Sequence, residues 1–245
     1  DRVADMSDGK LAVDLYEYGQ LGKNSDMIAF LDSETQAADL LFVSTDALRD
    51  AGCTKVEDTM KACAFKDYAD FAKWVASSKA EQVLADTEKS GIGGTGLFFV
   101  EDGFYQTFLV TADPVSEKII LGLGFDESDA YYKKKNAHYE FGPYVDIPDR
   151  VANGTIAGAE LPFDQFEEEK MYEYLPYVVH DNHMVRPYEA IITLRTADKI
   201  GKDSVVLLKK AGQETVKEYA DILTHTDEEA LARLKEAGVA ETALK

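Results

Sequence analysis

The sequence predicts an α/β fold with largely parallel sheets. Segments with strand patterns and segments with helix patterns alternate along nearly the whole chain of 245 residues, which is the order that produces βαβ units. Residues 39–43 form a short apolar run of the kind found in buried parallel strands. Neither an internal repeat nor a Pro- and Gly-rich linker interrupts the pattern, so two lobes would have to be joined by ordered segments.

In the first half of the chain, alternation and short apolar runs predict strands, and apolar residues at helical spacing predict helices. Asn24 or Ser25 can cap the first of these helices, which carries Met27, Ile28 and Leu31 on one side. The predicted strands are residues 11–16, 39–43, 97–100, 104–110 and 118–125, and the further helices are residues 67–78, 79–89 and 128–136.

The second half continues the alternation and ends in helices. Pro148 lies near the first turn of a helix that ends at about Asn153. A long helix has Val205, Leu208, Tyr219 and other residues on one face. The pattern from Thr226 to Glu229 is a capping box and predicts a new helix that ends at Gly238. The other predicted elements are strands at residues 156–159 and 188–194 and a helix at residues 163–174.

The charge of the chain excludes two classes of partner. There are 46 acidic residues against 26 basic ones, which gives a formal net charge of −20. Such a surface repels nucleic-acid phosphates and anionic lipid head groups. The sequence has no apolar run close to the roughly 18 residues that cross a bilayer. We therefore expect neither nucleic acid nor a membrane surface as a partner.

Two motifs suggest a cofactor or a metal but lack the necessary context. Residues 91–96 match the string G-x-G-x-x-G, which binds dinucleotides only when a strand precedes it and a helix follows it. Here a polar helix precedes the string and an aromatic strand follows, so a turn is the better interpretation. His180 and His183 are spaced like metal ligands on a helix, but their segment is typical of a strand, where residues three apart face opposite sides. We expect no cofactor and no metal.

The two cysteines allow two interpretations. Cys53 and Cys63 are ten residues apart, without a further cysteine or a nearby histidine to complete a zinc site. In an exported protein they would form a local disulfide, which is our prediction. The alternative is a pair of small buried thiols.

Several stretches, in order along nearly the whole chain, resemble the solute-binding proteins of TRAP transporters (the DctP type). Residues 151–160, VANGTIAGAE, carry the strongest resemblance, to the family pattern "L-tGtvDGqE". His183 corresponds to a histidine that follows in the family. The other similar stretches are residues 8–22, 65–68, 101–115, 172–177 and 231–239.

The resemblance implies a two-lobed α/β fold of the periplasmic-binding-protein type, with a hinge and one long helix crossing both lobes. The expected lobes are residues 1–102 with 187–226, and residues 103–186 with 227–245. An additional N-terminal strand is expected before Asp1. The implied protein is an extracytoplasmic monomer that captures a small molecule between its lobes and delivers it to the membrane subunits of a TRAP transporter.

At three positions the chain departs from the family pattern. Family members hold a ligand carboxylate with two arginines, and the corresponding positions here are Tyr105 and, approximately, Gly124. A frequent asparagine is replaced by Leu161. Because neither tyrosine nor glycine can replace a bidentate arginine, the sequence predicts a neutral or cationic ligand rather than a simple mono- or dicarboxylate.

The predicted ligand site is therefore aromatic and acidic. Two alternatives for the ligand remain: Arg186 or Arg195 could restore carboxylate binding by moving into the site, or the site could be degenerate and bind nothing tightly. An α/β enzyme acting on a small polar substrate, or a sensory protein of the same fold, are the alternatives for the function. The predicted ligand-binding residues are Tyr105, Gly124, Glu160, Phe99, Glu101, Phe125, Leu161, Tyr18 and Arg186.

Overall fold

The computed structural model describes residues 2–16, 20, 24–31 and 38–244, and its α/β composition confirms the predicted class. Local sequence signals explain several helix starts. The Ser77 side chain accepts a hydrogen bond from the Ala80 N–H group at the start of one helix, and Pro148 lies in the first turn of another. The helices are α1 (Arg2–Met6), α2 (Asn24–Leu31), α3 (Thr45–Asp50), α4 (Glu57–Met60), α5 (Tyr68–Val75), α6 (Ser78–Lys89), α7 (Asp126–Lys133), α8 (Ile147–Ala152), α9 (Phe163–Glu168), α10 (Leu194–Ile200) and α11 (Lys202–Glu236).

The described strands form one mixed path rather than the largely parallel sheets that we predicted. Their order is β1-β6-β2-β5-β3-β4, and β7 pairs with β6. The β1–β6 and β2–β5 pairs are antiparallel, whereas β3 is parallel to both β4 and β5. The strands are β1 (Leu40–Ser44), β2 (Gly94–Leu109), β3 (Ile119–Gly122), β4 (His138–Phe141), β5 (Gly158–Pro162), β6 (Tyr177–Thr193) and β7 (Ala240–Glu241).

The chain divides into two compact units although the strand path is continuous. Unit 1 contains residues 1–60, 68–102 and 186–221, and unit 2 contains residues 61–67, 103–185 and 222–245. Strand β2 and strand β6, with 16 and 17 residues, each contribute to both units. Strand β2 joins the two strands that we had predicted separately at residues 97–100 and 104–110.

The segment Lys61–Asp67 belongs to unit 2, whereas the predicted boundaries had placed it in the first lobe. Hydrogen bonds to strand β6 explain the difference. The Cys63 N–H group donates to the His183 carbonyl group at 2.8 Å, and the Asn182 side chain donates to the Lys66 carbonyl group at 2.9 Å. These contacts fix the segment to β6 within unit 2.

Each unit has its own hydrophobic core. In unit 2, strands β2, β3 and β5 are covered on one side by a core that includes Phe108, Leu121, Phe163 and Phe166. A second cluster in unit 2 includes Leu109, Ile120 and Tyr132. In unit 1, Leu97, Ala190 and Ile192 pack against Phe98 and residues of helix α11. The sheets are therefore buried as an α/β fold requires.

Two local predictions are wrong. Residues 11–16 have no regular secondary structure, and Leu15 and Tyr16 are exposed. Their alternation did not produce a strand because a strand requires a paired neighbour. The capping box at Thr226 does not begin a helix either, since α11 continues through it to Glu236 and the Thr226 hydroxyl donates to the Ile222 carbonyl group at 3.0 Å.

Candidate functional site

A buried carboxylate on strand β5 is the centre of a polar cluster in unit 2. The antiparallel register places Thr107 of β2 opposite Glu160 of β5. Both side chains are fully buried, so their polar atoms need partners inside the protein. Strand β6 supplies those partners through His183 and Asp181.

His183 bridges two carboxylates. Its Nε2 lies 2.8 Å from the Glu160 carboxylate, and its Nδ1 lies 3.0 Å from the Asp181 carboxylate. The Asp181 carboxylate also accepts hydrogen bonds from the Thr107 hydroxyl at 2.8 Å and the Tyr131 hydroxyl at 2.9 Å. The Tyr131 ring stacks on the imidazole with centroids 4.7 Å apart. The ring of His183 is therefore held in one orientation.

The electrostatics of the cluster favour a charged imidazole. Burial by itself lowers the pKa of His183, but the charge of Asp181 and the hydrogen bonds to both carboxylates raise that pKa to about 9. Burial opposes ionisation of Asp181, but the charge of His183 and three donated hydrogen bonds lower the pKa of Asp181. Two carboxyl groups, those of Glu160 and Asp181, thus share one imidazolium inside unit 2.

Tyr139 of strand β4 completes the cluster. Its hydroxyl donates to the Glu160 carboxylate and accepts hydrogen bonds from the backbone N–H groups of Gly124, at 3.1 Å, and Phe125, at 3.4 Å. Burial and the charge of Glu160 raise the pKa of Tyr139, so the hydroxyl remains protonated. Tyr139 therefore connects the loop after β3 to the buried carboxylate.

Four predicted site residues lie around Tyr139. Gly124 and Phe125 are in direct contact with its hydroxyl, and Glu160 accepts its hydrogen bond. The ring of Tyr105 packs edge-on against Phe125 with centroids 5.9 Å apart. Unit 2 thus brings Tyr105, Gly124, Phe125 and Glu160 together.

Two other predicted residues are core residues of their own units. Phe99 is fully buried in unit 1 and packs against Trp74 with ring centroids 5.0 Å apart. Leu161 is fully buried in the core of unit 2 beside Phe108. It neighbours Glu160 in sequence, but successive strand residues face opposite sides. Leu161 therefore packs in the core, on the side of β5 away from the Glu160 cluster.

Two of the remaining predicted residues, Arg186 and Glu101, belong to unit 1. Arg186 forms a two-point ion pair with Asp46, with both N–O distances at 3.2 Å, and its guanidinium lies 5.4 Å from the Tyr188 ring centroid. Glu101 is half-buried near the end of the unit 1 part of β2. Tyr18 lies outside the described residues.

The predicted disulfide is absent from the structure, where Cys53 and Cys63 are both free. Cys53 is fully buried in unit 1, with its thiol 3.3 Å from the Ser90 hydroxyl. Cys63 is exposed and belongs to unit 2. The segment between the cysteines changes unit, which the short separation in sequence did not reveal.

The sequence interpretation did not include Tyr139, Phe141, Asp181 or the tyrosine pair Tyr131 and Tyr132 in the site. Asp181 could have been suspected, because it lies two residues from His183 and shares its side of a strand. For Tyr139 and Phe141 the only signal in the sequence was their alternation, together with Gly122 and Gly124 at and just after the end of the preceding strand. That signal has meaning only once the register of the two strands is known.

The cluster in unit 2 is buried and fixed by its internal hydrogen bonds. Within the described ranges, no group of three or more His, Cys, Asp or Glu side chains could hold a metal ion. His183 and Glu160 have no exposed surface, whereas an acid–base catalyst must reach its substrate.

In the part of the chain that the structure describes, no helix is long and apolar enough to cross a membrane.

The profile of the family "Bacterial extracellular solute-binding protein, family 7" (DctP) matches residues 1–117 and 130–245. The chain belongs to this family. A characterised relative is the C4-dicarboxylate-binding periplasmic protein DctP of Rhodobacter capsulatus, which is 24% identical over 239 residues, covering 96% of this chain and 71% of the relative. The resemblance inferred from the sequence is therefore confirmed.

Solved structures of TRAP periplasmic solute-binding proteins share the fold. The protein from Ochrobactrum anthropi has a TM-score of 0.84 at 19% identity, covering 100% of this chain and 76% of that one. The protein from Xanthobacter autotrophicus with bound β-D-galacturonate has a TM-score of 0.73 at 20% identity, and the match covers 100% of this chain and 82% of that one. The protein from Haemophilus influenzae with bound L-gulonate has a TM-score of 0.74 at 19% identity, and the match covers 100% of this chain and 80% of that one.

Family and fold together give the general function. The chain has the two-lobed α/β fold of these proteins and is a bacterial extracytoplasmic solute-binding protein of the DctP family. Such a protein captures a small molecule for the membrane subunits of a TRAP transporter.

Proposed function

We propose that this DctP-family protein binds a neutral or cationic small organic molecule rather than a simple carboxylate, and that it releases the molecule unchanged. The observation that carries the proposal is the charge of the unit 2 cluster. Glu160 and Asp181 share one imidazolium, that of His183. A ligand carboxylate beside this cluster would be desolvated next to two other carboxyl groups, which costs several kcal/mol unless a cation pairs with it.

The arginines closest in sequence to the site residues already have partners. Arg150 pairs with Glu140 at 2.9 Å, and Glu140 lies on the side of β4 opposite to Tyr139, because strand residues alternate. Arg186 pairs with Asp46 in unit 1. Carboxylate binding by Arg186 would require this ion pair to break, which disfavours Arg186 as the displaced arginine clamp.

The relatives define the competing hypothesis. The Xanthobacter protein carries galacturonate, the Haemophilus protein carries gulonate, and the Rhodobacter protein is named for C4-dicarboxylates. A sugar acid or dicarboxylate is therefore the rival ligand class. Isothermal titration calorimetry of the purified protein against matched compounds separates the two classes. The sugar series is D-galacturonate, D-galactose and D-galactosamine, and the linear pair is succinate and succinamide.

We expect each acid to bind at least about 10-fold more weakly than its neutral or cationic counterpart, which corresponds to about 1.4 kcal/mol. Micromolar binding of an acid without binding of its counterpart would contradict the proposal, and the Arg186→Gln variant would then show whether Arg186 supplies the cation. Mass spectrometry of the recovered compound tests for turnover, and a converted product would favour an enzyme.

Light scattering tests the proposed monomeric state.

A further inference from the structure

Gly122 at the end of strand β3 and Gly124 in the loop after it leave space that two aromatic residues of strand β4 occupy. The strands are parallel, and their register pairs Gly122 with Phe141. A Cβ atom on Gly122 would lie 2.4 Å from the Tyr139 hydroxyl oxygen, and a Cβ atom on Gly124 would lie 3.0 Å from the Phe141 ring. The aromatic side chains of β4 thus occupy the volume that side chains at both glycine positions would need.

Tyr139 and Phe141 differ in their hydrogen bonds and in their exposure to solvent. Tyr139 is fixed by its hydroxyl, which is bonded to Glu160 and to the loop at Gly124. Phe141 is 70% exposed and has one side of its ring near Gly124. Residues 139 and 141 lie on the same side of β4, so the exposed ring adjoins the Tyr139–Glu160 contact at a spacing of two strand residues, about 7 Å.

Acidic side chains lie near strand β4 in two places, the cluster bonded to Tyr139 and the helix α7 that packs against β4. The Glu160, His183 and Asp181 cluster has more carboxyl groups than cations, as described above. Helix α7 begins directly after Phe125 and carries Asp126, Glu127 and Asp129 in its first turn, of which Asp129 pairs with Lys133. An aromatic face has a negative quadrupole, and a negative field around it further favours a cation over that face.

We propose that the exposed face of Phe141 is a ligand-contact surface that selects an organic cation of the substituted-ammonium type. Tyr139 is the positioning residue that holds the adjoining loop and carboxylate, and Gly122 and Gly124 leave the room that both rings need. This assignment deepens the proposed preference for a neutral or cationic ligand and rests on it.

The test uses pairs of compounds that have the same shape but differ in charge. Choline is compared with 3,3-dimethylbutan-1-ol, and tyramine with 4-propylphenol, by calorimetry on the wild type, Phe141→Leu and Tyr174→Leu. Leucine keeps an apolar side chain and removes the aromatic face. Tyr174 is a partly exposed aromatic residue of unit 2 outside the cluster and serves as the matched control. Circular dichroism verifies that the variants fold.

We expect the wild type and Tyr174→Leu to bind the cation of at least one pair about 2- to 30-fold more tightly than its neutral counterpart, the range of a cation–π contact. Phe141→Leu should bind the two members of that pair equally. The assignment is wrong if the wild type does not distinguish the members of either pair, or if Phe141→Leu keeps the preference. Binding of D-galactose with no preference for choline or tyramine would overturn this inference alone, whereas tight binding of D-galacturonate would overturn the proposed ligand class.

Discussion

Gly122 and Tyr139 are in such close contact across strands β3 and β4 that a Cβ atom on the glycine would lie 2.4 Å from the tyrosine hydroxyl oxygen. The same Cβ atom would lie 2.4 Å from a carboxylate oxygen of Glu160. The absence of a side chain at position 122 therefore permits the hydrogen bond between Tyr139 and Glu160. The glycine belongs to the candidate site although it has no functional group.

Gly122→Ala should lower the free energy of unfolding by about 1–3 kcal/mol, because the methyl group overpacks a buried contact. Removing the Tyr139 ring should relieve part of this cost. In a double-mutant cycle with Tyr139→Ala, followed by urea denaturation, we expect a coupling energy of at least about 0.5 kcal/mol. The control cycle, in which Gly122→Ala is combined with Tyr174→Ala, should give no coupling energy. Additive effects of Gly122→Ala and Tyr139→Ala would contradict the contact.

Asp181→Asn should lower the free energy of unfolding by about 3–5 kcal/mol, the range for removing one partner of a buried ion pair. The substitution leaves His183 with only Glu160 as a charged neighbour and weakens the interactions that raise its pKa. Asp126→Asn, an exposed change in unit 2, should change stability by less than about 0.5 kcal/mol. Guanidinium denaturation at pH 6 measures the free energy of unfolding of both variants. Equal effects of the two substitutions would show that the ion pair of Asp181 with His183 does not stabilise the fold.

Glu189 should make unit 1 less stable in alkaline solution. The side chain is fully buried, its Oε2 accepts a hydrogen bond from the Thr87 hydroxyl at 2.8 Å, and its Oε1 has no hydrogen-bonding partner among the described residues. Burial, together with the charge of Asp86, raises the pKa of Glu189 from 4.5 to about 8, while Thr87 and Lys209 oppose the rise. The folded protein therefore binds a proton that the unfolded chain releases above pH 4.5.

The direction of the pH effect on stability follows from the difference in bound protons between the folded and unfolded states. Between pH 4.5 and pH 8 the folded state holds more protons at Glu189, so the free energy of unfolding decreases as the pH rises. The limiting slope for one group is about 1.4 kcal/mol per pH unit. Glu189→Gln removes this contribution, so the variant should gain stability relative to the wild type from pH 5 to pH 8.5. Parallel pH profiles of the two proteins in urea denaturation would contradict the prediction.

The structure predicts two free thiols with different reactivities. Cys63 is exposed and should react with a thiol reagent in the folded protein. Cys53 has no exposed surface, and burial raises the pKa of its thiol, so it should react only on unfolding. Titration of unreduced protein with Ellman's reagent should count one fast thiol in buffer and two in guanidinium. A count of zero under denaturing conditions would restore the disulfide.

Patterns within one element were sufficient for much of the fold. Helix α8 begins where Pro148 predicted it, and β1 coincides with the apolar run at residues 39–43. The helix start depends on residues close in sequence, whereas β1 also needs its antiparallel pairing with β6. The strand predicted at residues 11–16 failed because pairing with another strand, rather than alternation, makes a strand. The continuous helix α11 at Thr226 shows the same limit for a capping motif, since the hydroxyl bonded to the preceding turn instead.

The candidate site was partly predictable. Tyr105, Gly124, Phe125 and Glu160 were selected from the sequence and lie together in unit 2. Phe99 and Leu161 were selected as well but are buried in core packing. The side of a strand that faces a core depends on its register with its neighbours, so one residue of difference separates Glu160 in the polar cluster from Leu161 in the core.

The sequence by itself determined the α/β class, the family resemblance and the lack of arginine at positions 105 and 124, because composition, local pattern and residue identity are properties of the chain. Only the tertiary structure decided the rest. It joined Glu160, His183 and Asp181 into one buried charge cluster, and it placed Tyr139 and Phe141 over Gly122 and Gly124. These contacts bring together residues of separate strands, and the strength of a charge pair or hydrogen bond depends on the burial that such packing creates.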